Sequence, residues 1–266
     1  MKKLWSDEAG FIVSAELVLI ATILVLGIGG VKALRALGIT PGVYHLNEGH
    51  SAFAPLEVIR QRMHDDGQPF DEALRAVASQ TVFTTHTPVP AGHDRFHGGL
   101  VEEHLGPLRD QLGISYEQLM GLGRVDPQNP NEPFCMTVLA LKVSRKANSV
   151  SQLHGRITRR MWAHLWPELP EHEVPISHVT NGVHSATWIS HEIAALLERN
   201  LRPDWHLLTR NDFFMNRIDE IYDEELWQAH ELGRSRLIRL CRELMVKQYG
   251  QRNASKAMME AAGSAL

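Results

Sequence analysis

Cysteine is scarce in this sequence of 266 residues, which contains only Cys135 and Cys241. They show neither the even, closely spaced framework of a secreted domain nor the CxxC spacing of zinc and redox sites, so both are predicted to be buried free thiols. Basic residues show no excess either: 27 lysines and arginines stand against 31 aspartates and glutamates, for a formal net charge of −4. A nucleic-acid partner is therefore not predicted. The sequence also lacks a GxSxG nucleophile elbow and an HExxH zinc helix.

A long apolar run lies at the amino terminus. From Ala9 to Val31 it is interrupted only by Ser14, Glu16 and Thr22, and it is long enough to cross a bilayer as a helix. Residues 1–30 are therefore predicted to form a hydrophobic or transmembrane segment, with membrane contact through residues 9–31. No small-x-small cleavage site follows the run to indicate a signal peptide. A buried amphipathic helix is the alternative, because a charge inside the run weakens a membrane span.

Downstream, the sequence alternates between helical and strand patterns. Apolar spacing predicts helices over Ala52 to Asp65 and Phe70 to Ala78, followed by a β-branched and aromatic strand from Thr81 to Thr84. This β-α-β order predicts an α/β fold with a mostly parallel sheet over residues 31–190.

Further along, Phe134 to Ala147 and Val150 to Trp166 are predicted to be two packed helices. Residues 191–266 are predicted to be mainly helical, with Asp223 to Gln248 a long, charged amphipathic helix.

Three segments begin as short apolar strands and break into polar loops with histidines: VYHLNEGH (Val43 to His50), TVFTTHTPVPAGHDRF (Thr81 to Phe96) and HVTNGVH (His178 to His184). Ligands of open α/β sheets bind just beyond the carboxyl ends of the strands. The three segments are therefore predicted to face one cleft, in which Asn181 and Gly182 form a turn.

The 15 histidines also raise the possibility of a metal site. His93 and His97 are four residues apart, with His86 and His104 nearby, and imidazoles one helical turn apart can share a zinc ion. Glycines at 92, 98 and 99 interrupt that stretch. Zinc is therefore the weaker interpretation of this region.

Four motifs in register carry a resemblance to a known family. YHLNEGHSAF, TVFTTHTPVPAGHDRF, NSVSQLHGRITRRMW and VPISHVTNGVHSATW together resemble the α-glucan (glycogen/maltodextrin) phosphorylases, in particular the short bacterial and archaeal branch. The resemblance covers roughly nine-tenths of the chain. It continues through three further segments: Gly27 to Ile39, Leu201 to Leu208 and Ile218 to Leu237.

The resemblance implies a fold and a reaction. Residues 31–266 would be part of the N-terminal lobe of a two-lobed glycosyltransferase-B-type fold in a cytoplasmic enzyme. The family cleaves the terminal bond of an α-1,4-glucan with inorganic phosphate, releasing glucose 1-phosphate, and uses the phosphate of pyridoxal phosphate for proton transfer.

The resemblance also assigns site residues. His86 matches the catalytic-centre histidine that contacts the glucosyl unit; Glu48 and His50 match positions lining the same sugar site, and Thr87 is expected to contact the substrate beside His86. Glu48 could instead satisfy amides at the start of the helix near Ser51, where a carboxylate is favourable. Gly49 stands where the family often has threonine, which predicts a less constrained loop.

The cofactor is not expected to be held by this chain. In the family, the Schiff-base lysine and the phosphate-binding residues follow the point that corresponds to Leu266. None of the lysines lies in a motif that resembles the attachment site; they are Lys2, Lys3, Lys32, Lys142, Lys146, Lys247 and Lys256. The chain alone is therefore predicted to be inactive.

The amino terminus carries a second resemblance. SDEAGFIVSAELVLIATILVLG resembles the hydrophobic segment of Flp-type or type IV-like pilins, which implies cleavage after Gly10 and a buried carboxylate at Glu16. The residues before Leu26 fit this pattern and those after it fit the phosphorylase pattern, so the chain resembles a chimera. The alternative function is a membrane-anchored, pilin-like or carbohydrate-binding remnant without catalysis.

Overall fold

The computed structural model describes residues 17–207 and 212–264. The chain divides into two compact units, with the boundary between Asn181 and Gly182. The first unit is α/β and the second is helical in its described residues. The pilin-like features at Gly10 and Glu16 lie outside the described residues.

A four-stranded parallel sheet organises the first unit, as the β-α-β order predicts. The strands are β1 (Tyr44–Asn47), β2 (Thr81–Thr85), β3 (Arg95–Phe96), β4 (Phe134–Cys135), β5 (Lys146–Ser149) and β6 (Ile176–His178). They pair in the order β1, β2, β5, β6, and β3 pairs antiparallel with β4 in a separate small ladder.

Helices cover this sheet and begin and end at recognisable signals. They are α1 (Leu17–Ala36), α2 (Ala54–Asp66), α3 (Phe70–Ser79), α4 (Gly98–Leu112), α5 (Tyr116–Gly123), α6 (Met136–Lys142) and α7 (Gln152–Trp162). Helices α2 and α4 end at Gly67 and Gly113, whose φ values of 67° and 64° suit glycine. Ser115 and Gln118 form a capping box at the start of α5.

The predicted helix over Phe134 to Ala147 is wrong, because this segment contains β4, the short helix α6 and the start of β5. Arg145 N donates to both Ala78 O and Thr81 O, which draws the chain away from the helix and into the sheet. Pairing with β2, far away in sequence, then overrides local helix propensity. The next helix begins at Gln152, where Ser151 Oγ caps it by accepting from His154 N.

Helix α1 packs one face against the core of the first unit. Ile20, Ile23 and Val31 are buried at helical spacing. Gly27 lies between them, where an added Cβ would meet Ala54 N at 3.0 Å. The opposite face is apolar and exposed, including Val18 and Val25. Within the described residues, α1 is also the one helix whose length and composition would allow it to cross a membrane.

A buried carboxylate lies near this interface. Glu57 is fully buried and accepts hydrogen bonds from Arg60 Nη2 at 2.7 Å and Gln61 Nε2 at 3.0 Å. Burial raises the pKa of Glu57, but the hydrogen bonds from Arg60 and Gln61 outweigh it and hold the pKa below its usual value. The charge of Glu57 is thus buried together with the donors that stabilise it.

The second unit has a small core of its own. Leu196, Leu197, Trp205, Ile221 and Ala229 are buried together. Ion pairs from Arg199 to Glu225 and from Arg236 to Glu192 join two of its helices. The helices are α8 (Ser185–Trp188), α9 (His191–Asn200), α10 (Asp212–Asp219), α11 (Asp223–Gln251) and α12 (Lys256–Ser264); the predicted charged helix is confirmed as α11.

The two cysteines are free thiols in different surroundings. Cys135 is buried in β4, and burial raises the pKa of its thiol. Cys241 is partly exposed on α11, so the prediction of burial holds only for Cys135.

Candidate functional site

The first two histidine-bearing loops leave the sheet side by side. Asn47 at the end of β1 is paired with Thr84 near the end of β2. Because parallel strands present their carboxyl ends at the same edge, Glu48 and His86 begin neighbouring loops there. The predicted convergence of these two segments is thus found in the structure.

Glu48 binds the two loops together. One carboxylate oxygen accepts from His86 N at 2.7 Å and from Thr87 Oγ1 at 2.9 Å. The other accepts from Gly49 N at 3.2 Å and lies 3.4 Å from Thr85 Oγ1. The carboxylate therefore accepts from one amide at the start of the helix near Ser51, Gly49 N, as the alternative predicted, and it also holds the loop that carries His86.

The backbone of Glu48 is strained. Its φ of 68° and ψ of 174° lie in a region that is populated almost only by glycine. Such a conformation costs about 1–3 kcal/mol and persists only when its surroundings enforce it.

The imidazole of His86 is exposed and oriented. Its Nε2 lies 2.5 Å from Asn47 Oδ1, and since an amide oxygen only accepts, Nε2 carries the proton. In the neutral ring, Nδ1 is then an acceptor. The chain thereby presents one defined hydrogen-bonding nitrogen at the edge of the sheet.

His50 is held by a residue that sequence reasoning missed. Its Nδ1 lies 3.2 Å from Asp94 Oδ2, and its side chain is about half exposed. Gly49 beside it is buried, and a Cβ there would meet Met136 Cβ at 3.1 Å. The expectation that Gly49 loosens the loop is therefore wrong, because close packing fixes this position.

A polar chain crosses three strands next to this site. Thr84 Oγ1 donates to Asn148 Oδ1 at 3.0 Å and lies 2.7 Å from His45 Nε2. Asn148 belongs to β5, so its approach depends on strand pairing that the sequence pattern did not predict.

The third predicted segment is divided by the unit boundary. His178 ends β6 and pairs with Ser149, so it shares the sheet with β1 and β2. His184 belongs to the second unit, where its Nδ1 lies 2.6 Å from Thr187 Oγ1.

His93 is buried, unlike the exposed histidines of the edge. Its Nδ1 lies 2.8 Å from Thr137 Oγ1, and its ring meets Trp162 edge-on with 5.0 Å between centroids. Burial lowers the pKa of His93, so the ring is neutral at pH 7. In residues 17–207 and 212–264, no group of three histidine, cysteine, aspartate or glutamate side chains could hold a metal ion.

A concavity at the amino ends of β1 and β2 lies away from these residues. It has a volume of about 400 Å³ and is lined by Tyr44, Gln80 and the Arg35–Asp65 ion pair, among others. The carboxyl-end edge is instead an open surface of imidazole, hydroxyl and amide groups. Groups of these kinds donate and accept directional hydrogen bonds, as recognition of a polyhydroxylated ligand requires.

Comparison with known proteins bears out the family resemblance, although no family model matches the chain. It is 41% identical over 230 residues to a maltodextrin phosphorylase of Thermococcus litoralis, covering 86% of this chain and 26% of that protein. It is 38% identical over 242 residues to a glycogen phosphorylase of Mycobacterium tuberculosis, covering 87% and 27%. A glycogen phosphorylase of Aquifex aeolicus is 32% identical over 240 residues, covering 90% and 34%. The chain thus spans between about a quarter and a third of the length of these relatives.

Proposed function

We propose that this chain is the part of an α-glucan phosphorylase that presents one side of its glucan site. The observation that carries the proposal is the network at the carboxyl ends of β1 and β2, where strained Glu48 fixes His86 and Thr87 at an exposed edge. These are the positions that the family resemblance marks for sugar contact. The reaction would be phosphorolysis of an α-1,4-glucan to glucose 1-phosphate.

In this proposal the chain binds and orients the sugar. His86 Nδ1 accepts from a glucosyl hydroxyl while Asn47 fixes the other nitrogen. Thr87 is less free, because its hydroxyl is directed toward Glu48. The α/β unit would be part of one lobe of a two-lobed glycosyltransferase-B-type enzyme of the cytoplasm.

Two of the described lysines, Lys142 and Lys146, do not fit the attachment of pyridoxal phosphate. Lys142 Nζ donates to Gly121 O at 2.8 Å and Arg124 O at 2.5 Å, so it is committed to backbone carbonyls. Lys146 begins β5, at the opposite end of the strand from the candidate site. We infer that the cofactor would be held by residues outside this chain, which on its own would bind glucan without catalysis.

Helix α1 is better explained in this proposal as a core helix than as a membrane anchor. Its buried stripe of Ile20, Ile23 and Val31 is part of the same core as the sheet. The exposed apolar face, including Val18 and Val25, is the observation that favours the alternative of a membrane-anchored remnant.

Maltodextrin titration of the full chain tests the proposal. His86→Ala should weaken binding about fivefold, because one hydrogen bond is worth about 1 kcal/mol net. His64→Ala is a matched control, since His64 is also exposed but lies at the end of α2. Equal loss of binding in both variants, or no binding by the wild-type chain, would contradict the proposal.

A further inference from the structure

The loop between β2 and β3 holds the candidate site from both ends. At its start, His86 N and Thr87 Oγ1 donate to Glu48. At its end, Asp94 contacts His50. The loop therefore encloses the short segment that carries Glu48 and His50.

His93 is the anchor of this loop. Among residues 86–95 it is the one buried side chain. Its Nδ1 lies 2.8 Å from Thr137 Oγ1 in the first turn of α6, and its ring packs against Trp162. The same first turn supports the site elsewhere, because Met136 N donates to Asp94 O at 3.0 Å and Met136 packs against Gly49.

The anchor determines where Asp94 points. His93 has an extended backbone, with φ −97° and ψ 123°. Neighbouring side chains of an extended chain point to opposite sides. Seating His93 inward on Thr137 thus directs Asp94 outward, where Oδ2 lies 3.2 Å from His50 Nδ1.

We propose that His93 and Thr137 are a positioning pair that holds Asp94 against His50 and thereby selects the tautomer of His50. The Asp94 carboxylate, 3.2 Å from Nδ1, favours the neutral ring that carries its proton on Nδ1 and presents Nε2 as an acceptor. A hydroxyl of the ligand can then donate to that nitrogen. That this hydroxyl belongs to a glucan rests on the proposed function; the tautomer does not.

Nuclear magnetic resonance of the full chain with ¹⁵N-labelled histidine tests the pair without any ligand. At a pH where the ring is neutral, the wild-type ¹⁵N shifts of His50 should be those of the Nδ1–H tautomer. Asp94→Asn and Thr137→Val should both shift His50 toward the Nε2–H tautomer. Thr137→Ser keeps the hydroxyl and should therefore retain the wild-type ¹⁵N shifts of His50. Thr158→Val is the matched control, because Thr158 is also fully buried but its hydroxyl bonds no side chain or backbone group.

Each result supports or overturns the role of Asp94 or of the His93–Thr137 pair. A wild-type His50 in the Nε2–H form, or one unaffected by Asp94→Asn, would overturn the role of Asp94. A folded Thr137→Val chain with an unchanged His50 would overturn the role of the pair, and so would an equal change in Thr158→Val. If Thr137→Val does not fold, Thr137→Ser and Asp94→Asn still give the comparison. Absence of maltodextrin binding would contradict the proposed function while leaving the tautomer result intact.

Discussion

At the scale of single residues, Glu48 combines an unfavourable backbone with a well-satisfied side chain. Within the described chain, Glu48 and Asn253 are the non-glycine residues with positive φ. Asparagine is one of the residues that adopt positive φ most readily, whereas the combination of φ 68° and ψ 174° at Glu48 is populated almost only by glycine. The hydrogen bonds that its carboxylate accepts from Gly49 N, His86 N and Thr87 Oγ1 offset the strain. Such strain is typical of functional sites.

Replacing Glu48 should separate these two contributions. Glu48→Ala should lower the free energy of unfolding by about 1–3 kcal/mol, because Gly49 N, His86 N and Thr87 Oγ1 all lose their acceptor. Glu48→Gly loses the same carboxylate but relieves the backbone, so it should be the more stable of the two. Glu103, an exposed residue of α4, is the control: there the alanine variant should be more stable than the glycine variant by about 1 kcal/mol. Urea denaturation measures all four; an alanine variant that is more stable than glycine at position 48 would refute the strain.

His93 should make stability depend on pH. Burial lowers the pKa of His93 below its ordinary value of 6.5. The nearby carboxylates of Glu48 and Asp94 raise this pKa, whereas Arg95 and His154 lower it further. As pH falls below 6.5, the unfolded chain takes up this proton before the folded chain does, so the free energy of unfolding decreases. The loss is at most about 1.4 kcal/mol per pH unit for one group.

The measurement is urea denaturation between pH 7.5 and 5.5. His93→Gln removes the titrating group and should flatten the profile relative to wild type, whereas His64→Gln, at an exposed position, should not. Parallel profiles for wild type and His93→Gln would show that His93 does not titrate abnormally.

Motifs predicted some of the site residues but not their partners. His86, Thr87 and Glu48 were singled out because they stand in recognisable strings, and the structure places them in one network. Asn47 and Asp94 were missed, since their contacts depend on the register of β1 against β2 and on the anchoring of His93. The sequence Gly92-His93-Asp94 within the second motif was the one feature that could have indicated Asp94.

At the scale of elements, the periodicity of the sequence predicted the helices whose bounds depend on residues close in sequence. Helices α2 and α3 were predicted within two residues of their bounds, because α2 ends at Gly67 and α3 has an apolar stripe that begins just after Pro69. Strand β5 was missed, since Lys146 to Ser149 alternate in burial only when β2 and β6 lie on either side. An apolar run such as α1 is ambiguous for the same reason: its sequence suits both a core and a bilayer.

The two faces of α1 provide a test of that ambiguity. If α1 packs on the core, Ile20→Arg should destabilise the chain by several kcal/mol, because the charge would be buried without a partner. Val18→Arg, at a side chain that is 64% exposed, should change stability by less than about 0.5 kcal/mol. In a membrane span, both changes would instead oppose insertion by about 3 kcal/mol. Urea denaturation and carbonate extraction distinguish the two cases; equal release of both variants from membranes would contradict the core helix.

At the scale of the whole molecule, the similarity to phosphorylases is long along this chain and short along the relatives. It covers 86% of the chain but 26% of the Thermococcus litoralis protein. The groups that this chain places at its exposed edge suit sugar binding, whereas a reaction also requires positioned groups for phosphate and proton transfer. Binding and catalysis are therefore expected to separate in this polypeptide.

Assay of the purified chain with maltodextrin and inorganic phosphate measures that separation. We expect no glucose 1-phosphate and no absorbance of bound pyridoxal phosphate, because none of the seven lysines lies in a motif that resembles the attachment site. In addition, Lys142 donates to backbone carbonyls and Lys146 lies at the far end of β5. Burial also lowers the pKa of Lys142, but its ammonium is turned toward the backbone carbonyls of Gly121 and Arg124. The Thermococcus litoralis relative, assayed in parallel, controls for the assay. Should the chain alone release glucose 1-phosphate, we would expect replacement of one lysine to abolish it, and the division of labour proposed for this chain would be wrong.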